Sequence, residues 1–266
     1  MNGIVLALVV VAVIGLICGI LLSAASKVMA VPVDETFEKV RECLPGANCG
    51  ACGYSGCDDY AKAVADGECE KLNLCIPGGD SAAASIGAVL GRDGGDVVEV
   101  VARVRCTGSC DKTETKYEWK GGVKSCKGTL LMYSGRNSCT YGCIGYGDCA
   151  AVCPQKAIEV KDGLARVYPG LCFGCGMCSK ECPLGIIDMI PTTAKVFVEC
   201  SNKDKGKAAM SVCSSSCIGC SKCVKVCEAG AVIFENNLAK IDQEKCTGCG
   251  ACAEACPRGC IAKFTA

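Results

Sequence analysis

Four thiols within eleven residues, three spaced to close on one inorganic cube and the fourth to reach a second, occur twice near the end of this chain. They are Cys172-x2-Cys175-x2-Cys178-x3-Cys182-Pro183 and Cys246-x2-Cys249-x2-Cys252-x3-Cys256-Pro257. This is the bacterial ferredoxin run, in which the fourth Cys ligates the neighbouring cluster. Zinc sites usually take two separated Cys pairs, so the spacing points to iron–sulfur chemistry. Cys217-x2-Cys220-x2-Cys223-x3-Cys227 is the partner run of the second copy, with Glu228 in place of the usual Pro. An offset of 74 residues carries Cys126, Cys139, Cys143, Cys149 and Cys153 onto Cys200, Cys213, Cys217, Cys223 and Cys227. The same offset carries Cys172, Cys175, Cys178 and Cys182 onto Cys246, Cys249, Cys252 and Cys256, so the second half duplicates a module. The first copy lacks one thiol, because position 146 is Tyr; Cys139 is the nearest replacement, and a three-iron or absent cluster is the alternative.

Chain order then gives four ligand sets. They are Cys139, Cys143, Cys149 and Cys182; Cys172, Cys175, Cys178 and Cys153; Cys217, Cys220, Cys223 and Cys256; and Cys246, Cys249, Cys252 and Cys227. A fifth set lies upstream, where Cys49, Cys52 and Cys57 crowd into a Gly-rich stretch and Cys75 follows in Cys75-Ile76-Pro77-Gly78-Gly79. Cys106, Cys126, Cys200 and Cys213 remain as the simplest sixth set, with Cys110 spare and structural thiols as the alternative. Five [4Fe-4S] clusters, and a sixth from the last set, are expected, with iron held through these cysteines. Cys43 and Cys69 read as incidental, and Cys18 and Cys260 as small buried hydrophobes.

The composition narrows the chemistry further. With 29 Cys and no His in 266 residues, His-ligated zinc or haem, Rieske centres and His-dependent catalytic pairs are all excluded. No catalytic acid, base or nucleophile is required. Lys+Arg and Asp+Glu both number 28, which disfavours nucleic acid as a partner. Between Asp34 and Cys75 there are nine Asp/Glu against four Lys/Arg, an acidic module. Residues 192–266 are mildly basic, and Lys203, Lys205 and Lys207 form a group able to steer an acidic protein.

The elements that must position these thiols are small. Gly3 to Ser26 carries no charge and predicts one transmembrane helix. The first positive charges, Lys27, Lys39 and Arg41, follow it, which predicts the remainder on the cytoplasmic side of the inner (plasma) membrane, where disulfides are disfavoured. Strands are expected over Val97–Arg105 and Lys195–Glu199, leading into Cys106 and Cys200, and over 231–234 and 238–241 around the turn Asn236-Asn237. Short helices are expected from Asp58 to Asp66 and from a Ser81 cap to Leu90. The fold class is α+β: the membrane helix (1–28), a four-Cys [4Fe-4S] module (29–79), a linker and strand region with Cys106, Cys110 and Cys126 (80–125), and two tandem ferredoxin-like modules (126–195 and 196–266).

Over essentially its whole length the sequence resembles the B component of the Rnf complex, the ion-translocating ferredoxin:NAD oxidoreductase, in its long polyferredoxin form. The resemblance rests on the amino-terminal helix, on Leu44-Pro45-Gly46-Ala47-Asn48-Cys49-Gly50-Ala51-Cys52-Gly53-Tyr54 with the Cys75 motif, and on Tyr141-Gly142-Cys143-Ile144-Gly145-Tyr146-Gly147-Asp148-Cys149. It implies a membrane-anchored electron-transfer subunit that accepts electrons from soluble ferredoxin and passes them to membrane subunits carrying flavins and an NAD site. A subunit feeding electrons to a regulatory iron–sulfur protein, and a membrane-tethered zinc-binding scaffold, are the competing readings.

Overall fold

The computed structural model describes residues 2–28, 35–118, 120, 122 and 124–264. The chain opens with α1 (Asn2–Val28), where a long uncharged run satisfies its backbone groups internally. Among the described residues no helix is long and apolar enough to cross a membrane. In α1 only the side chains of Gly3 and residues 9–25 are described. The side chain of Lys27 lies outside the described residues, as does Asp34. Cys18, expected to be buried, is exposed on α1.

The four-Cys module packs α2 (Glu35–Glu42), α3 (Cys57–Ala65) and α4 (Gly79–Leu90) around Val40, Leu44, Tyr60, Val64 and Ile86. Ser81, the expected cap of α4, instead sits inside its first turn, and the helix begins at Gly79. Gly87 and Gly94 let the chain fold back on α4: a methyl on Gly94 would meet backbone atoms of Ala83 and Ala84, so no larger residue fits there.

Among the described residues, eight short strands make four two-stranded antiparallel sheets. Strand β1 (Val100–Val104) pairs along five residues with β4 (Ile187–Pro191), and β5 (Val196–Val198) pairs with β8 (Ile261–Lys263). The hairpins β2 (Ile158–Lys161)–β3 (Leu164–Val167) and β6 (Val232–Glu235)–β7 (Leu238–Ile241) complete the two modules. The turn residues Asn236 and Asn237 both have positive φ (50° and 61°), the geometry that two-residue hairpin loops demand. The stretch 80–125, read from sequence as a linker and strand region, supplies β1 of the first module. The chain must leave the four-Cys module and return across β4 before the ligand runs begin.

One-turn helices lie within the ligand runs and carry the third thiol of each: α6 (Asp148–Ala151) with Cys149, α7 (Met177–Glu181) with Cys178, α9 (Lys222–Lys225) with Cys223 and α10 (Ala251–Glu254) with Cys252. Each starts after a left-handed residue, Gly147, Gly176, Ser221 or Gly250, which turns the chain between successive thiols. Two further helices, α5 (Cys126–Leu131) and α8 (Lys207–Val212), precede the partner runs. The cores between these elements are thin and include the thiols themselves: Val196, Val198, Val232, Leu238 and Ile261 cluster with Cys200, Cys223, Cys252 and Cys260.

Candidate iron–sulfur sites

In the four-Cys module, Cys75 lies near enough to Cys57, Cys52 and Cys49 for each to oppose its ionisation, alongside the larger effect of burial. Asn48, held at positive φ, accepts a hydrogen bond from the Cys57 N–H (2.8 Å) and so clamps the loop onto the start of α3. Burial first, and then Cys172, Cys175 and Cys153, raise the pKa of Cys178 to about 11. In the second module, Cys217, Cys220, Cys223 and Cys256 frame one cavity, and Cys227, Cys246, Cys249 and Cys252 another. These four groupings are the ones the spacing suggests.

The remaining thiols are arranged differently from the expectation. Cys126, not Cys139, joins Cys143, Cys149 and Cys182 around a cavity of about 400 Å³. Cys139 instead joins Cys106, Cys200 and Cys213 around a second cavity of about 340 Å³. The assignments of Cys126 and Cys139 made from sequence are thus exchanged. The reason lies in α5. Tyr146 occupies the register position of Cys220, and its ring stacks under the Arg136 guanidinium, 5.0 Å from the centroid. The helix that begins at Cys126 swings a thiol into the resulting gap. The Asp148 carboxylate fixes that helix by accepting from the N–H of Cys126 (2.9 Å), the N–H of Lys127 (3.1 Å) and the Ser125 hydroxyl (2.8 Å). Burial alone would raise the Asp148 pKa; these donors outweigh it and hold the carboxyl below its usual range. Replacing Asp148 by Asn is expected to cost about 1–2 kcal/mol of stability and to loosen Cys126, read as a lower thermal midpoint and a fractional loss of iron.

The cavity of Cys106, Cys139, Cys200 and Cys213 has internal two-fold character. Cys106 and Cys200 each follow the strand that pairs with the last strand of its module. Cys106 Sγ accepts from the N–H of Gly108 (3.3 Å) and of Cys143 (3.3 Å), and Cys200 Sγ accepts from the N–H of Asn202 (3.4 Å) and of Cys217 (3.2 Å). Cys106, not Cys126, is therefore the structural counterpart of Cys200. Thirty-three positions separate Cys106 from Cys139 and only thirteen separate Cys200 from Cys213, so the first copy carries an insertion, and Cys126 rides on it. The sequence signal was present in the apolar strands ending just before Cys106 and Cys200. Thr107 and Ser215 hydroxyls, 2.9 Å apart, tie the two halves together beside this cavity.

The thiols fit a cluster on physical grounds. Burial drives the pKa of Cys106 up to about 12 and of Cys139 and Cys200 to about 11, despite the N–H donors that pull the other way. These three buried thiols, facing one cavity, are costly to ionise unless a cationic centre takes the charge, while the N–H···S bonds stand ready to stabilise bound sulfur. Among the described residues no three Cys, Asp or Glu side chains close on a single point tightly enough for one metal ion. The sulfurs stand instead around cavities, as ligands to the corners of a cube would. Cys110 is exposed and faces none of these cavities. Cys260 is buried at the rim of the third site with its sulfur 3.5 Å from that of Cys256, where Ile186 stands in the first module.

Known proteins point to the same chemistry. A family model described as a putative Fe–S cluster matches residues 44–77, and a 4Fe-4S dicluster domain matches residues 210–263. The chain is 41% identical to the B component of the Na(+)-translocating ferredoxin:NAD(+) oxidoreductase complex of Acetobacterium woodii, over 98% of this chain and 78% of that one. It is 40% identical to the B component of the proton-translocating ferredoxin:NAD(+) oxidoreductase complex of Clostridium ljungdahlii, over 91% and 86% of the two chains. It is also 40% identical to the B component of the ion-translocating oxidoreductase complex of Methanosarcina acetivorans, over 87% and 88%.

Proposed function

The chain belongs to the Rnf family of B components of ion-translocating ferredoxin:NAD(+) oxidoreductases, and from that premise we propose that its thiols hold six [4Fe-4S] clusters in one unbroken series. As a family member it is an iron–sulfur electron-transfer subunit of a membrane-associated oxidoreductase complex and carries no complete active site of its own. Bound [4Fe-4S] clusters supply one-electron stations whose potentials respond to burial, charge and hydrogen bonds to sulfur. The ligand sets are those of the six groupings above, with Cys126 beside Cys143, Cys149 and Cys182, and with Cys106, Cys139, Cys200 and Cys213 together.

The observation that carries the reading is this last set, drawn equally from both ferredoxin-like modules. Main-chain N–H groups of Cys143 and Cys217, residues of the flanking sites, donate to two of its four sulfurs, those of Cys106 and Cys200, so it bridges the modules. At the other end, Cys49 of the four-Cys module lies beside Cys175, and Lys180 Nζ donates to Gly50 O (2.8 Å). The residues thus run from the four-Cys module, through the first ferredoxin-like module and the bridging site, into the second.

We assign the amino-terminal helix as a single-pass anchor in the inner (plasma) membrane, with the remainder cytoplasmic. Gly3–Ser26 is uncharged, and 27 helical residues extend about 40 Å against a hydrocarbon core of roughly 30 Å. The anchor keeps the four-Cys module near flavin- and NAD-binding membrane subunits, its expected acceptors. Soluble ferredoxin is the expected donor, arriving at the second module, where the ligands Cys220 and Cys249 are exposed. The exposed Lys203 and Lys205 lie on the loop whose Gly206 N–H donates to Ile218 O, beside the Cys217–Cys220 turn, and the exposed Lys207 opens α8 directly after it. Neutralising all three is expected to slow reduction by ferredoxin severalfold at low salt and to flatten its salt dependence; an unchanged rate rejects the steering role.

Anaerobic purification with iron and acid-labile sulfide analysis tests the whole reading. About twenty-four irons per chain are expected for six clusters, about twenty for five, and zinc without visible absorption would refute it. Co-purification with a partner having ferredoxin-dependent NAD reduction separates this function from the feeding of a regulatory iron–sulfur protein.

A further inference from the structure

The two ferredoxin-like modules differ in what covers the loop carrying the second thiol of each Cys-Pro run. In the first, the four-Cys module sits on that loop. A methyl on Gly174 would meet Ile76 Cγ2 at 2.9 Å, Lys180 Nζ reaches Gly50 O, and Cys175 is buried. Seventy-four residues on, no other module covers the same loop among the described residues: Lys195 of its own module packs over Gly248, Thr247 and Cys249 are exposed, and Glu254 stands where Lys180 does. The cavity framed by Cys227, Cys246, Cys249 and Cys252 is the wider one, about 1040 Å³ against about 340 Å³ for the bridging site of Cys106, Cys139, Cys200 and Cys213 and about 400 Å³ for the site of Cys126, Cys143, Cys149 and Cys182.

We propose that this face of the Cys246–Cys252 loop is the docking surface for ferredoxin, which takes on the second module the place that the four-Cys module takes on the first. The inference rests on the electron-accepting function proposed above. Two observations select the occupant. The element seated on the equivalent face is itself an acidic iron–sulfur module presenting its ligand loop. The proposed face is flanked by exposed Lys195, packed over Gly248, and by exposed Lys263, whose Nζ donates to Cys249 O (3.1 Å). An acidic iron–sulfur carrier matches both the shape precedent and the charge. Lys203, Lys205 and Lys207, at the neighbouring Cys217 turn, then act in long-range steering rather than in the contact.

The test uses the full chain and reduced ferredoxin in stopped-flow mixing, with dithionite as a donor that needs no docking. Thr247→Glu and Lys195→Glu, each with wild-type iron content and EPR spectrum, are expected to slow reduction by ferredoxin by about tenfold or more at low ionic strength. Reduction by dithionite should not change, and Thr247→Ser should behave as wild type. Rates within twofold of wild type for both charge variants overturn the surface, as does a larger loss from neutralising Lys203, Lys205 and Lys207. A wild-type chain that dithionite reduces and ferredoxin does not would refute the electron-accepting function, and the surface with it.

Discussion

The double variant Cys106→Ser/Cys126→Ser is expected to lose two clusters, its iron falling from about twenty-four atoms per chain to about sixteen. The two thiols face different cavities: Cys106 lies with Cys139, Cys200 and Cys213, and Cys126 with Cys143, Cys149 and Cys182. Had both belonged to one sixth site, as their spacing suggests, only about four irons would go. The converse pair is equally discriminating. Cys106→Ser/Cys139→Ser removes two thiols from one cavity and should leave about twenty irons, whereas the sequence-based grouping places those residues in different clusters. Serine is close to cysteine in volume, and iron is counted per chain that remains folded by circular dichroism; EPR of the reduced variants identifies which signals vanish. Equal iron in the two double variants would contradict the exchange of Cys126 and Cys139.

Stripping the iron by anaerobic chelation is expected to unfold the chain from about residue 100 onward. The two ferredoxin-like modules have no large apolar core to fall back on. Ala102, Val104, Ile158, Leu164, Ile186 and Ile187 pack directly with Cys143, Cys149 and Cys178, and the strands are three to five residues long. When the ligand thiols are also the core, metal binding and folding become one equilibrium. Cys106 and Cys149, pushed by burial up to about 12, must give up their protons to bind iron, so acidification shifts that equilibrium toward the apo chain. The measurements are far-UV circular dichroism and limited proteolysis before and after chelation. Loss of the β signal with rapid cleavage after residue 100 is the expected outcome; an apo chain that keeps its spectrum and resists protease would show that packing alone holds the modules. The four-Cys module, with Tyr60, Ile86 and Val40 fully buried, should survive longer.

What the sequence determined by itself is local. Ligand runs of fixed spacing, a left-handed residue before each one-turn helix, the Asn236-Asn237 hairpin and the uncharged opening helix are all set by neighbours a few residues apart, and each is legible without a fold. The duplication is legible too, because spacing survives as an arithmetic offset. The partner of each unmatched thiol was decided by tertiary structure alone. The same offset that correctly pairs Cys139 with Cys213 also pairs Cys126 with Cys200, and there it misleads, because an insertion had shifted the strand and thiol at Cys106 out of register. The antiparallel pairing of β1 with β4 and of β5 with β8 brings Cys106 and Cys200 to one cavity, and the Asp148 carboxylate holds Cys126 at the start of α5, beside Cys143, Cys149 and Cys182. Spacing records distance along the chain, whereas a cluster is assembled by distance through space, and the two part wherever a loop of variable length intervenes.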